Sequence, residues 1–146
     1  MNGDWMDTTQ RRDELRADLL ADGNPITTDA VPAWIHRPST LRRVATELAR
    51  ALPPHFDRIL ATGTGAEALG AAVSLATGVA FATESETPVA GEDIVVIAAL
   101  ATDAETYRSD SVTILARHAV WATREGSQAL FAAPTYARTS QGKDFA

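Results

Sequence analysis

The sequence contains no cysteine. That absence excludes disulfides, thiol nucleophiles and thiolate metal ligands together. Histidine is scarce, and His36, His55 and His118 stand far apart along the chain, so no metal site is expected. No apolar run approaches the roughly 20 residues of a membrane-spanning helix. The stretch Met1–Thr9 is polar and acidic, unlike a secretory leader. A cytoplasmic protein without membrane association is therefore expected. Lysine is almost missing: of 13 basic residues, 12 are arginine, and the remaining one, Lys143, lies close to the C-terminus. Chemistry that needs a lysine inside the domain is excluded. The net charge is −6, and no basic stripe is present that could follow a nucleic-acid backbone, so nucleic acid is not expected as a partner.

What remains is an ordinary globular composition, 45% hydrophobic and 22% charged over 146 residues, enough for one domain with its own core. The expected division is a single domain over 1–135, helical over about 8–52 and α/β over about 56–132, followed by a tail at 136–146.

The pattern along the chain predicts a first helix over Thr8–Ala21, capped by Asp7 with Gln10 and stopped at Gly23-Asn24-Pro25. Leu15, Leu19 and Leu20 form its apolar face. A proline-bearing connection follows, with a short extended piece at Ala33–Ile35. Leu41, Val44, Ala45, Leu48 and Leu52 recur at helical spacing over Ser39–Leu52, and Pro53-Pro54 ends that helix. Beyond it the pattern alternates: strand Phe56–Ala61, turn Thr62–Ala66, helix Glu67–Thr77, strand Val79–Thr83, turn Glu84–Glu92, strand Asp93–Ala99, loop Leu100–Asp103, helix Ala104–His118, strand Ala119–Thr123, and a further short strand at Leu130–Ala132. Alternating strands and helices imply an α/β fold with a central, mainly parallel sheet flanked by helices. Ligands on such sheets bind at the carboxyl ends of the strands, which points to the segments after Ala61 and after Ala99.

Three segments carry a resemblance: Thr40–Leu52, Phe56–Ala72 and Asp93–Thr106. Together they resemble the type I phosphoribosyltransferases, closest to the orotate branch, over roughly Arg12–Gly126. The first is similar to the helix before the family's first core strand. The second is similar to its strand, pyrophosphate loop and helix. The third is similar to its signature for phosphoribosyl diphosphate (PRPP). The resemblance implies ligand-binding positions at Thr62, Gly63, Thr64 and Gly65 in one segment and at Thr102 and Thr106 in the other. It also implies a homodimer.

The signature is degenerate. The family's two acidic positions, which hold ribose hydroxyls, are Ala98 and Ala99 here, and alanine can neither accept those hydrogen bonds nor help hold magnesium. The loop glycines correspond to Ala104 and Glu105, beside Asp103. A negative side chain about 4 Å from a phosphate costs on the order of 4 kcal/mol at an effective dielectric of ~20. Thr64-x-x-Glu67 and Thr102-x-x-Glu105 each read as a capping box that would satisfy the helix amides internally. The mobile catalytic hood is reduced to Glu84–Glu92, with no cation, and no arginine lies between Arg58 and Arg108.

The expectation is thus a phosphoribosyltransferase-like protein without catalytic residues, metal or cofactor, serving a binding, regulatory or assembly role with itself or a protein partner. Two alternatives stay open. One is a divergent active orotate-type transferase using PRPP and magnesium. The other is a Rossmann-like nucleotide-binding module, in which Gly63-x-Gly65-x-x-Ala68 meets the pyrophosphate and Glu84 the ribose. Among other residues, His36 is the histidine expected near a cleft, His55 belongs to a solvated turn, and His118 is placed in a last helical turn. Trp34 and Trp121 are expected in or beside the core, and Trp5 in a polar N-terminal arm.

Overall fold

The structure is a computed structural model of the chain and describes residues 3–21, 30–124 and 126–133, with the backbone alone for residues 3–7. Among these residues four helices are present, α1 (Gly3–Leu20), α2 (Pro38–Ala51), α3 (Ala66–Thr77) and α4 (Ala101–Thr106), with a 3₁₀ turn at Ala33–His36. Five strands, β1 (Arg58–Thr62), β2 (Phe81–Thr83), β3 (Asp93–Leu100), β4 (Thr113–Ala122) and β5 (Ala129–Ala132), form one sheet in the order β2-β1-β3-β4-β5. Every neighbouring pair is parallel. The expected α/β architecture is therefore present, with β3 at its centre.

The central strand is apolar on both sides because both faces are covered. Val95 and Ile97 point into the large core with Ile59, Ala61 and Val120, under Leu15 and Leu19 of α1, Val44 and Leu48 of α2, and Leu69 and Val73 of α3. Leu60, Ile94, Val96 and Ala98 point the other way, toward Ala104 of α4. This alternation is the two-residue period of a strand. Trp34 and Trp121 join the large core, Trp121 packing on Phe131 with ring centroids 5.4 Å apart. Gly70 lets α3 settle on the sheet: a Cβ there would stand 2.6 Å from Phe81 Cδ2 and 2.9 Å from Ala61 Cβ.

Several expectations are corrected. The first helix begins at Gly3 rather than at an Asp7 cap, so Trp5 lies within α1 and not in an arm before it; the packing of its side chain lies outside the described residues. The helix stop at Gly23–Pro25 and the tail at 136–146 also lie outside them. Ala33–Ile35 is a 3₁₀ turn, with Ile35 N donating to Pro32 O and Arg37 N to Trp34 O, and not an extended piece. Strand β1 runs one residue further than expected, so Thr62 closes it and is buried.

The largest correction concerns Ala104–His118, expected as one helix. The helix is instead α4, which ends at Thr106, and β4 starts at Thr113. Residues 107–112 turn the chain, and the β-branched Val112, Thr113 and Ile114 favour extended backbone. Pairing of β4 with β3 from Asp93↔Thr113 to Leu100↔Trp121 outweighs the helical tendency of the alanines and leucine. His118 consequently sits mid-strand, where burial, with Arg12 adding a like charge, lowers its pKa.

Candidate functional site

Strand β1 delivers Thr62 to the carboxyl edge of the sheet. The chain then turns through Gly63 and Gly65, whose φ angles are +81° and +78°. Only glycine occupies that region without strain. Contacts enforce the choice further. A Cβ on Gly63 would collide with the Asp103 carboxylate, and one on Gly65 with Ile35 Cδ1. The turn is thus pinned from two directions, by α4 on one side and by the 3₁₀ turn on the other.

Gly65 is the N-cap of α3 and supplies no side-chain cap. The capping box expected from Thr64 and Glu67 is therefore not formed, because the helix begins one residue later than that spacing requires. The second capping box fails for the opposite reason. Helix α4 starts at Ala101 directly after β3, so Thr102 already lies inside its first turn, and no side chain caps it. Glu105 points elsewhere: Ser127 Oγ donates to it at 2.8 Å and Arg124 Nη2 at 2.6 Å. The Ser127 hydrogen bond, followed by Arg124, holds its pKa below the usual carboxylate range against the opposing effect of burial.

The expected loop over Leu100–Asp103 is consequently absent; strand passes straight into helix. Thr102 Oγ1 lies 3.4 Å from Thr123 Oγ1, and Thr106 Oγ1 donates to Asp103 O at 3.0 Å. The two threonines expected at a PRPP signature thus contact the protein itself. Ala98 and Ala99 are buried at the end of β3.

A cavity of about 490 Å³ opens at the carboxyl ends of β1 and β2, lined by Gly63, Gly65, Glu67, Ala68, Thr83, Glu84 and His36 among others. Val31 and Ile35 give it an apolar wall. It brings together the glycines and Glu84, which the sequence singled out, and also His36, the histidine expected near a cleft. It does not include Thr62, Thr102 or Thr106. Its charge is acidic. Burial first, and the nearby Glu84 carboxylate second, raise the pKa of Asp103. Neither acid makes an ion pair among the described residues. Asp103 is the residue that sequence spacing did not connect to Gly63; the sheet register Thr62↔Ala98 brings them together.

The segment Glu84–Glu92, expected as a reduced hood, begins as a tight turn. Glu86 N donates to Thr83 O at 3.0 Å, and Glu86 Oε1 accepts from Thr83 N at 3.1 Å. No group of three or more His, Asp or Glu side chains among the described residues is placed to hold a metal ion. No helix among them is long and apolar enough to cross a membrane.

No protein-family profile matches the chain, and no curated protein matches it. Among solved structures it is similar to the UMP synthase of Leishmania donovani, with a TM-score of 0.62 and 16% sequence identity over 90% of this chain. The chain spans 38% of the length of that protein. At this identity the likeness speaks for fold, and it agrees with a type I phosphoribosyltransferase-like arrangement of a five-stranded parallel sheet flanked by helices.

Proposed function

We propose that the chain is a phosphoribosyltransferase-like domain that does not transfer phosphoribosyl groups and acts instead as a binding or assembly module, with a second copy of itself or another protein as partner. The observation that carries this reading is the Asp103 carboxylate packed against Gly63. An anion approaching the glycine turn would meet a carboxylate rather than open amides, and Glu67 and Glu84 line the same cavity. Like charges at such a site oppose phosphate binding instead of recruiting it. The replacement of the signature's acidic pair by the buried Ala98 and Ala99 supports the same conclusion, since no ligand for ribose hydroxyls or for magnesium stands at the end of β3.

The test follows the amide signals of Gly63 and Gly65 by NMR during titration with phosphoribosyl diphosphate and magnesium, beside an assay for turnover of orotate and purine bases. The expected result is no change at the two glycines at millimolar ligand and no turnover. Saturable shifts at micromolar ligand would overturn the closed glycine turn, and magnesium-dependent turnover would establish the active-transferase alternative.

A second reading is favoured by one observation: Gly63, Gly65, Ala68 and Glu84 line one cavity, as a nucleotide-binding module would require. A rise in melting temperature with a dinucleotide, lost in Glu84→Ala, would support it; an equal rise in the variant would remove it.

A further inference from the structure

Seven of the twelve arginines fall between Arg11 and Arg50, in a chain whose net charge is −6. Helix α2 places Arg42 and Arg50 along one row, and Arg43 with Glu47 along the next, because residues four apart share a helix face. Helix α1 brings Arg11 and Leu15 against them. Between the two helices lies a cavity of about 210 Å³ lined by Arg11, Arg42, Arg43 and Arg50, with Glu47 and the buried Leu15.

The carboxylate in this cavity is already engaged. Glu47 is 4% exposed and receives Arg12 Nε at 3.0 Å, with Arg11 Nε 3.6 Å away. Asp18 accepts from Arg43 at 2.5 Å. Arg42 and Arg50 make no ion pair among the described residues. Four guanidinium groups therefore line the cavity with one carboxylate, Glu47, which Arg11 and Arg12 already compensate. The surplus positive charge repels itself across the cavity, and an anion would relieve that repulsion.

We infer that the α1–α2 cavity is a binding site for a small, multiply charged oxyanion of the phosphate class, such as inorganic phosphate, diphosphate or the phosphate end of a metabolite. All the cations are arginines, whose planar forks bind phosphate oxygens two at a time. The volume suits one or two tetrahedral groups rather than a polymer, and the acidic remainder of the chain repels polyanions. Arg42 and Arg50 stand two turns apart, roughly 12 Å along the helix axis, so a diphosphate is the anion best able to engage both. This cavity shares no lining residue with the acidic one at the sheet edge. The inference is therefore independent of the function proposed above.

The experiment titrates the full chain with diphosphate and, separately, with inorganic phosphate and ribose 5-phosphate, each against sodium chloride of matched ionic strength. Melting temperature and the Nε–H NMR signals of Arg42 and Arg50 are followed. Diphosphate is expected to raise the melting temperature beyond the salt control and to shift both arginine signals saturably. Arg42→Gln with Arg50→Gln is expected to weaken binding at least about tenfold, the loss of two charge-assisted contacts. Stronger binding of ribose 5-phosphate than of inorganic phosphate would identify a metabolite as the source of the anion. A melting response equal to that of matched salt, or unmoved arginine signals in the wild-type chain, would overturn the inference whether or not the double variant folds.

Discussion

At the amino ends of the strands, Arg58 Nε and Nη2 reach Glu92 at 2.7 and 3.2 Å, and Asp57 Oδ2 accepts from Asp93 N at 2.8 Å. There Arg58, Glu92 and Asp57 each have a partner of opposite sign or a backbone donor. At the carboxyl ends, Asp103 packs on Gly63 and its acidic neighbour is Glu84. One end of the sheet is built for stability and the other carries local electrostatic stress. Stress of that kind is concentrated where folds of this class place their ligands. Here it persists although the stressed group itself fills the glycine turn.

The contrast can be broken most forcefully at the turn. Gly63→Ala puts a Cβ at positive φ and against Asp103, and is expected to lose about 1–3 kcal/mol in urea unfolding. The double variant Gly63→Ala with Asp103→Ala should recover the steric part and leave the conformational part. At the opposite end, Arg58→Met is expected to cost about 1–2 kcal/mol, because it leaves Glu92 half-buried without its two-pronged partner. A double-mutant cycle with Glu92→Gln isolates the pairing.

Asp103→Asn should move stability the other way, with a modest gain at neutral pH. The folded state holds the Asp103 proton more tightly than the unfolded chain does. Stability contributed by that proton is present at low pH and is lost as pH rises from the ordinary carboxylate value through the raised one. Denaturant midpoints measured across that window should slope downward for the wild type and less so for the variant; parallel slopes would show that Asp103 is not stressed. The smallest effect is expected for Glu105→Gln, within about 0.5 kcal/mol at neutral pH, since its partner Arg124 is largely exposed. Its sign is opposite to that of Asp103. The lowered pKa of Glu105 gives stability above the ordinary carboxylate range that is lost as pH falls through the folded value.

Much of the fold was legible because its signals are local. The helical spacing of Leu41, Val44, Ala45 and Leu48 and the unbroken apolar run Ile94–Ala99 need no tertiary information. The turn at Gly63 and Gly65 was legible for the same reason, since glycines directly after an apolar strand mark a turn. The division of Ala104–His118 was not legible. Alanine, leucine and arginine favour helix, and pairing with β3 overrides them. The capping boxes failed by one residue at Thr64 and by two at Thr102, because the helix starts are set by where β1 and β3 end. The contact between Asp103 and Gly63 depends on strand register, which no local pattern contains.

The edges of the sheet have a consequence for self-association. Strand β2 is three residues long and β5 four, so among the described residues each outer edge of the sheet offers few peptide groups on which a foreign strand could nucleate. Strand β4 is longer, and β5 pairs only with its second half, from Ala119 onward. The first half of β4, carrying the exposed Leu115, is thus an edge in its own right. It is guarded by the register shift opposite Ile94 and Val95 and by Arg117, whose Nη1 holds the carbonyls of Ala104 and Tyr107. Heating that detaches β5 would lay bare all ten residues of β4, and that strand is where irreversible aggregation of this chain should begin.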